Sequence, residues 1–116
     1  MLSTKEKGIL IYIIEYCKRI EVKTLGLTYE DFISNQDLKE IVCFNIFQIG
    51  ELAKGLSNDF VVKYNKIPWK YVKGMRDRIG HGYGSIDLKQ VWCTATSDIK
   101  SLKEYCELII KQSLQN

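Results

Sequence analysis

A single proline, Pro68, stands in a chain of 116 residues. Proline supplies no backbone donor and clashes with the preceding helical turn, so a chain almost free of it has room for long uninterrupted helices. A many-turned β fold is disfavoured for the same reason. The apolar pattern agrees. Residues 4 to 22 place Ile9, Leu10, Ile13, Ile14, Cys17 and Ile20 at helical spacing. Thr28 opens a short turn of helix over 28 to 33, and Ser34 with Asp37 resembles a cap for the next long helix. That helix carries the stripe Leu38, Ile41, Val42, Ile46, Ile49 and Leu52 and ends near Gly55. A short amphipathic piece over 58 to 64 leads to Pro68, which suits the first turn of a helix running to about Ile79. Gly80, Gly82 and Gly84 stop it. Asp87, with Gln90 at the box position, then caps the last and longest helix, striped by Val91, Trp92, Ala95, Ile99, Leu102, Cys106 and Ile109. These patterns predict one all-α domain over residues 1 to 116, an antiparallel bundle of four to five helices.

Hydrophobic residues make up 46% and charged residues 27%, which excludes a disordered chain. The four cysteines, at positions 17, 43, 93 and 106, form no C-x-x-C pair and sit in apolar helical patterns. They are expected as buried free thiols rather than disulfides. With one His and no paired ligand spacing, no metal site and no cofactor is expected. The apolar run Gly8 to Ile14 stops at Glu15, too short for a signal peptide or a bilayer crossing, so a cytoplasmic protein is expected. Ile11 and Tyr12 in the first helix, and Phe44 and Phe47 in the next long one, lie off the main stripes. A helix apolar over two faces must bury both, and a two-fold homodimer is the simplest cover.

Charge is concentrated. From Lys63 to His81 the chain has six basic residues against Asp77 alone, a segment charge of +5, so the other 11 basic and 13 acidic residues sum to −2. Lys66, Lys70, Lys73 and Arg78 in this stretch suit a phosphate backbone, with Tyr64, Trp69 and Tyr71 available for stacking. A solvated helix face with those rings turned into the core fits equally well. The segment ends in Arg76-Asp77-Arg78-Ile79-Gly80-His81-Gly82-Tyr83-Gly84. On an unbroken helix Arg76 and His81 would point about 140° apart; the glycines let the chain turn and bring His81 back beside Arg76. An imidazole moves protons near neutral pH, and a guanidinium braces a phosphate and the charge developing on it. Asp77 and Tyr83 are supporting candidates. Together they suggest RNA cleavage without metal, in which the ribose 2′-OH attacks the adjacent phosphate and the 5′-oxygen leaves. Two copies of His81 across a dimer cleft would supply base and acid. Taken alone, Gly-His-Gly-Tyr-Gly is more often a helix-to-helix turn, and the residues leave both readings open.

Ile67-Pro68-Trp69, Gly74-Met75-Arg76-Asp77, His81-Gly82-Tyr83, Ile86-Asp87 and Val91-Trp92 resemble the HepT-like branch of the HEPN superfamily, whose hallmark is Arg-x4-His-x-Tyr. The resemblance implies an all-α homodimer and a metal-independent endoribonuclease toxin, with tRNA among its candidate substrates and Arg76 and His81 catalytic at the dimer cleft. It also implies an antitoxin partner, a small MntA-type nucleotidyltransferase that transfers AMP to the motif tyrosine, here Tyr83. The family usually has Asn directly after the motif Arg; here Asp77 stands there. An ionised carboxylate only accepts hydrogen bonds, so Asp77 is expected to pair with Arg78 or to raise the pKa of His81. Two other readings of the same residues are a non-catalytic module that binds RNA or a nucleotidyltransferase, and a plain helical interaction subunit.

Overall fold

The computed structural model describes residues 2–80 and 87–115, and His81, Tyr83 and Gly84 lie outside them. The described residues are helical throughout: α1 (Thr4–Thr24), α2 (Tyr29–Ile33), α3 (Gln36–Ala53), α4 (Asn58–Lys63), α5 (Trp69–Gly80), α6 (Leu88–Cys93), a π-helical turn (Thr94–Asp98) and α7 (Ile99–Leu114). No strand occurs among them. The all-α bundle is therefore as expected, with α2 and α4 as short connecting pieces.

Side-chain caps set the starts. Ser3 and Glu6 form a reciprocal box at α1, each side chain accepting from the other's backbone N–H at 3.0 Å. Thr28 and Asp31 do the same at α2. Between α1 and α2 the chain turns at Gly26, whose φ of 75° favours glycine. The cap of α3 is Asn35, which accepts from the Leu38 N–H at 3.1 Å. Ser34, expected in that role, instead closes α2, its N–H donating to the carbonyl of Glu30. Pro68 stands just before α5, its carbonyl accepting from Tyr71 and Val72.

Helix α3 runs through the middle, packed on α1 on one side and α5 on the other, while α1 also packs on α7. Leu10, Ile13, Val42, Ile49, Ile99 and Ile109 are wholly buried at these contacts. The α3–α5 crossing is close at Gly50, where a Cβ would lie 2.7 Å from the backbone nitrogen of Arg76. Trp69 is buried, donating its indole N–H to the Tyr64 carbonyl at 2.7 Å and meeting Phe60 edge-on. This ring therefore belongs to the core and is closed to stacking on a ligand.

Three expectations change. The last helix is interrupted: Ile99 donates to the carbonyl of Thr94, five residues back, and the Thr96 hydroxyl takes the Trp92 carbonyl at 2.7 Å. Cys17, Cys43 and Cys106 are buried free thiols, but Cys93 is exposed, because Val91 turns inward two residues before it and leaves position 93 on the outer face. Ile41, assigned to the core stripe, is over a third exposed, on the surface between α1 and α3. No helix among the described residues is long and apolar enough to cross a membrane.

Candidate active site

Four side chains meet at one end of the α3–α5 crossing. Helix α5 contributes Arg76 and Asp77, α3 contributes Glu51, and Lys54 follows α3 as its C-cap. Arg76 Nε lies 2.6 Å from Glu51 Oε1, a close ion pair whose N–H is not aligned on the oxygen. Its Nη1 donates to Asp77 Oδ1 at 3.1 Å, and Lys54 Nζ donates to the same oxygen at 3.3 Å. The guanidinium carbon stands 5.7 Å from the centroid of the Phe47 ring. Phe47, Glu51 and Lys54 are spaced four and three residues apart and so share one face of α3. Gly50, on the same turn as Glu51, lets that face approach the backbone of α5.

The electrostatics follow from this geometry. The carboxylate of Asp77 beside it, and then Glu51, raise the Arg76 pKa further above its ordinary value. Asp77 moves the other way, held below the usual carboxylate range by Arg76 first and Lys54 second. All four side chains are two-fifths to one-half exposed, so the pairs add little to stability in water. Their contribution is orientation.

The expected pairing of Asp77 with Arg78 is corrected here, while the alternative, an effect on His81, lies outside the described residues. Asp77 pairs with Arg76 and Lys54, and Arg78 turns elsewhere: its Nη2 donates to the Tyr71 carbonyl at 3.0 Å and its guanidinium stacks 4.2 Å from the Tyr71 ring. Two residues turn a helix by 200°, which sets Arg76 and Arg78 about 160° apart on opposite flanks of α5. Lys70 and Lys73 lie on the outer face between them, and Lys66 is exposed before the helix begins. The juxtaposition of Arg76 with His81, and the placement of Tyr83, fall outside the described residues. On the far side of Glu51, a groove of about 340 Å³ is lined by Tyr12, Tyr16, Gln48 and Leu52.

Sequence reasoning missed Glu51 and Lys54, which precede Arg76 by more than twenty residues. A signal was present in Gly50, a glycine inside a strong helical stripe, which marks a close approach of another backbone.

An all-α bundle is the fold that the Arg-x4-His motif implies for the HEPN class, and here it carries Arg76 of that motif on an exposed helix flank. The sequence matches the family model described as Ribonuclease HepT-like over residues 13–109. The chain belongs to the HepT-like ribonuclease family. It is similar to a Methanocaldococcus jannaschii protein named "Putative RNase MJ1216", 39% identical over 90% of this chain and 87% of that one. It is also similar to "Probable ribonuclease HepT" of Thermococcus cleftensis, 33% identical over 95% of this chain and the whole of that one. A second M. jannaschii protein, "Putative RNase MJ0125", is 38% identical over 90% of each chain. No solved structure gives a significant match.

Proposed function

We propose that this chain is a metal-independent endoribonuclease toxin acting as a homodimer. The observation that carries the reading is the state of Arg76. It stands at the exposed flank of the basic helix, ion-paired at Nε and hydrogen-bonded through Nη1, and neither contact uses Nη2. A guanidinium so placed offers its remaining nitrogen to a phosphate oxygen and to the charge that builds on it during attack. His81, five residues on, takes the proton of a ribose 2′-OH; the oxygen attacks the adjacent phosphate, and the 5′-oxygen leaves with a proton from the second copy of His81. The product is a 2′,3′-cyclic phosphate. Lys66, Lys70, Lys73 and Arg78 hold the flanking backbone.

The dimer is supported by the face between α1 and α3. Ile11, Tyr12, Val22 and Phe44 are each about half or more exposed along it, and a groove of about 790 Å³ runs between the helices. Its α1 side carries Lys18, Arg19 and Lys23 against Glu15 alone, and its α3 side Asp37 and Glu40, so a two-fold partner laying α1 against α3 matches charge as well as apolar area. The antitoxin is a nucleotidyltransferase of the MntA type. The Tyr83 hydroxyl oxygen attacks the α-phosphorus of ATP, pyrophosphate leaves, the phenol proton passes to solvent, and the added AMP places negative charge where RNA phosphate would bind. Support for this partner is membership of the family.

The test is cleavage of end-labelled tRNA and total cellular RNA by the purified protein in excess EDTA. Wild type is expected to cut and leave 2′,3′-cyclic ends, with His81→Ala and Arg76→Ala slower by about a hundredfold or more. Salt-sensitive RNA binding with no cleavage would replace the enzyme by a binding module. Undiminished cleavage by His81→Ala would remove His81 from the site.

A further inference from the structure

We infer that Glu51, on the helix opposite the motif, is a positioning residue for Arg76. The inference rests on the reading of Arg76 as a catalytic residue and extends the site to α3. An arginine side chain has four rotatable bonds before its planar head, and a helix flank alone does not choose among them. Here two anchors do. Asp77 Oδ1 accepts a hydrogen bond from Nη1, and the Glu51 carboxylate holds Nε by charge at 2.6 Å, so one rigid plane is held at two of its nitrogens. Phe47 covers one face of it. Neither of these contacts uses Nη2.

Among the described residues no other cation pairs with Glu51. The cation three residues along the chain, Lys54, would be its natural partner at that spacing, yet Lys54 reaches across to Asp77 instead. The four charges therefore alternate, Glu51, Arg76, Asp77 and Lys54, with α5 giving one carboxylate and one cation and α3 with its C-cap the other two. Asp77 is adjacent to Arg76 in sequence and moves with it, whereas Glu51 belongs to another helix. Glu51 is thus the anchor that refers the guanidinium to the body of the bundle. Its own negative charge opposes RNA, so its value to the enzyme lies in geometry, and that gives the test its sign.

The experiment compares Glu51→Ala and Glu51→Gln in the full chain by two readouts. The first is ¹⁵N relaxation of the Arg76 Nε, which reports side-chain order without catalysis. The second is steady-state RNA cleavage. Glu51→Ala is expected to lower the Nε order parameter and to cut kcat about tenfold, since misplaced groups lose effective molarity, with KM for RNA unchanged or smaller. Glu51→Gln, which keeps the shape of the side chain but removes the charge facing Nε, is expected to recover only part of both. In an Arg76→Ala background Glu51→Ala should cost nothing further, whereas a general loss of folding would cost the same again. An Nε order parameter indifferent to Glu51→Ala overturns the inference, as does a cleaving wild type whose kcat is indifferent to it. A wild type that cleaves no RNA while Nε loosens in Glu51→Ala overturns the ribonuclease reading and leaves the tether standing.

Discussion

Burial acts on single thiols with a sign that can be followed. Desolvation pushes the thiol of Cys106 up to about 12 and that of Cys17 higher still, while an unfolded chain exposes both at their ordinary value. A raised pKa means that the folded protein keeps a proton which the unfolded chain gives up. The stabilisation is therefore complete below about pH 8.5 and is lost as pH rises from there towards the folded values. Each such thiol removes about 1.4 kcal/mol per pH unit across that window. Urea denaturation at pH 8, 9, 10 and 11 should show stability falling steadily, and Cys106→Ala should fall less steeply than wild type. Equal slopes would mean that Cys106 stays in water. The same residue scale explains Asp77, whose neighbours could not be read from the sequence. Arg78 is adjacent and of the right charge, but helical rotation carries it to Tyr71, and the partners that do arrive are Arg76 on the other side and Lys54 from the C-cap of α3.

Among the elements, the α3–α5 crossing sets how near Glu51 and Lys54 come to Arg76, and Gly50 sets the crossing. Helix propensity favours Gly→Ala by about 1 kcal/mol, but at Gly50 the new methyl would lie 2.7 Å from the Arg76 nitrogen and 3.0 Å from its Cβ. Overpacking of that kind costs about 1–3 kcal/mol, so sterics outweigh propensity. Gly50→Ala should lower the melting temperature by several degrees and reduce cleavage. Gly8→Ala in α1, where a Cβ would have nothing within 4 Å, should raise stability by about 0.5–1 kcal/mol. Scanning calorimetry of the two variants checks both signs. The crossing also shows what the sequence could tell. Stripes at three- and four-residue spacing located the four long helical stretches because burying an apolar face needs that period. Ser34 reads as the cap because an acid stands three residues on; Asn35 caps as well as Ser, and only the last turn of α2 decides between them. The π turn was illegible, since it depends on the Thr96 hydroxyl taking a backbone carbonyl and on Thr94 meeting Tyr71 at 3.2 Å, contacts that a hydropathy pattern does not carry.

The whole molecule leaves an apolar face between α1 and α3 facing water, and the homodimer proposed above covers it. Phe44, over half exposed near the middle of that face, is the place to test it. Phe44→Glu removes an aromatic contact and places a second carboxylate beside Glu40, so light scattering should give a dimer for wild type and a monomer for the variant. RNA cleavage should fall with dissociation if the cleft needs both copies. A wild-type monomer would send that face to a different partner. The four alternating charges around Arg76 have a consequence for encounter as well. They sum to zero, so beyond roughly one Debye length of about 8–10 Å their field cancels, and a passing polyanion is drawn instead by the outer lysines of α5. Steering and grip are thereby divided: added salt should slow arrival at the lysines, while the exchange of a carboxylate for a phosphate at Arg76 happens only at contact, where screening has little left to weaken.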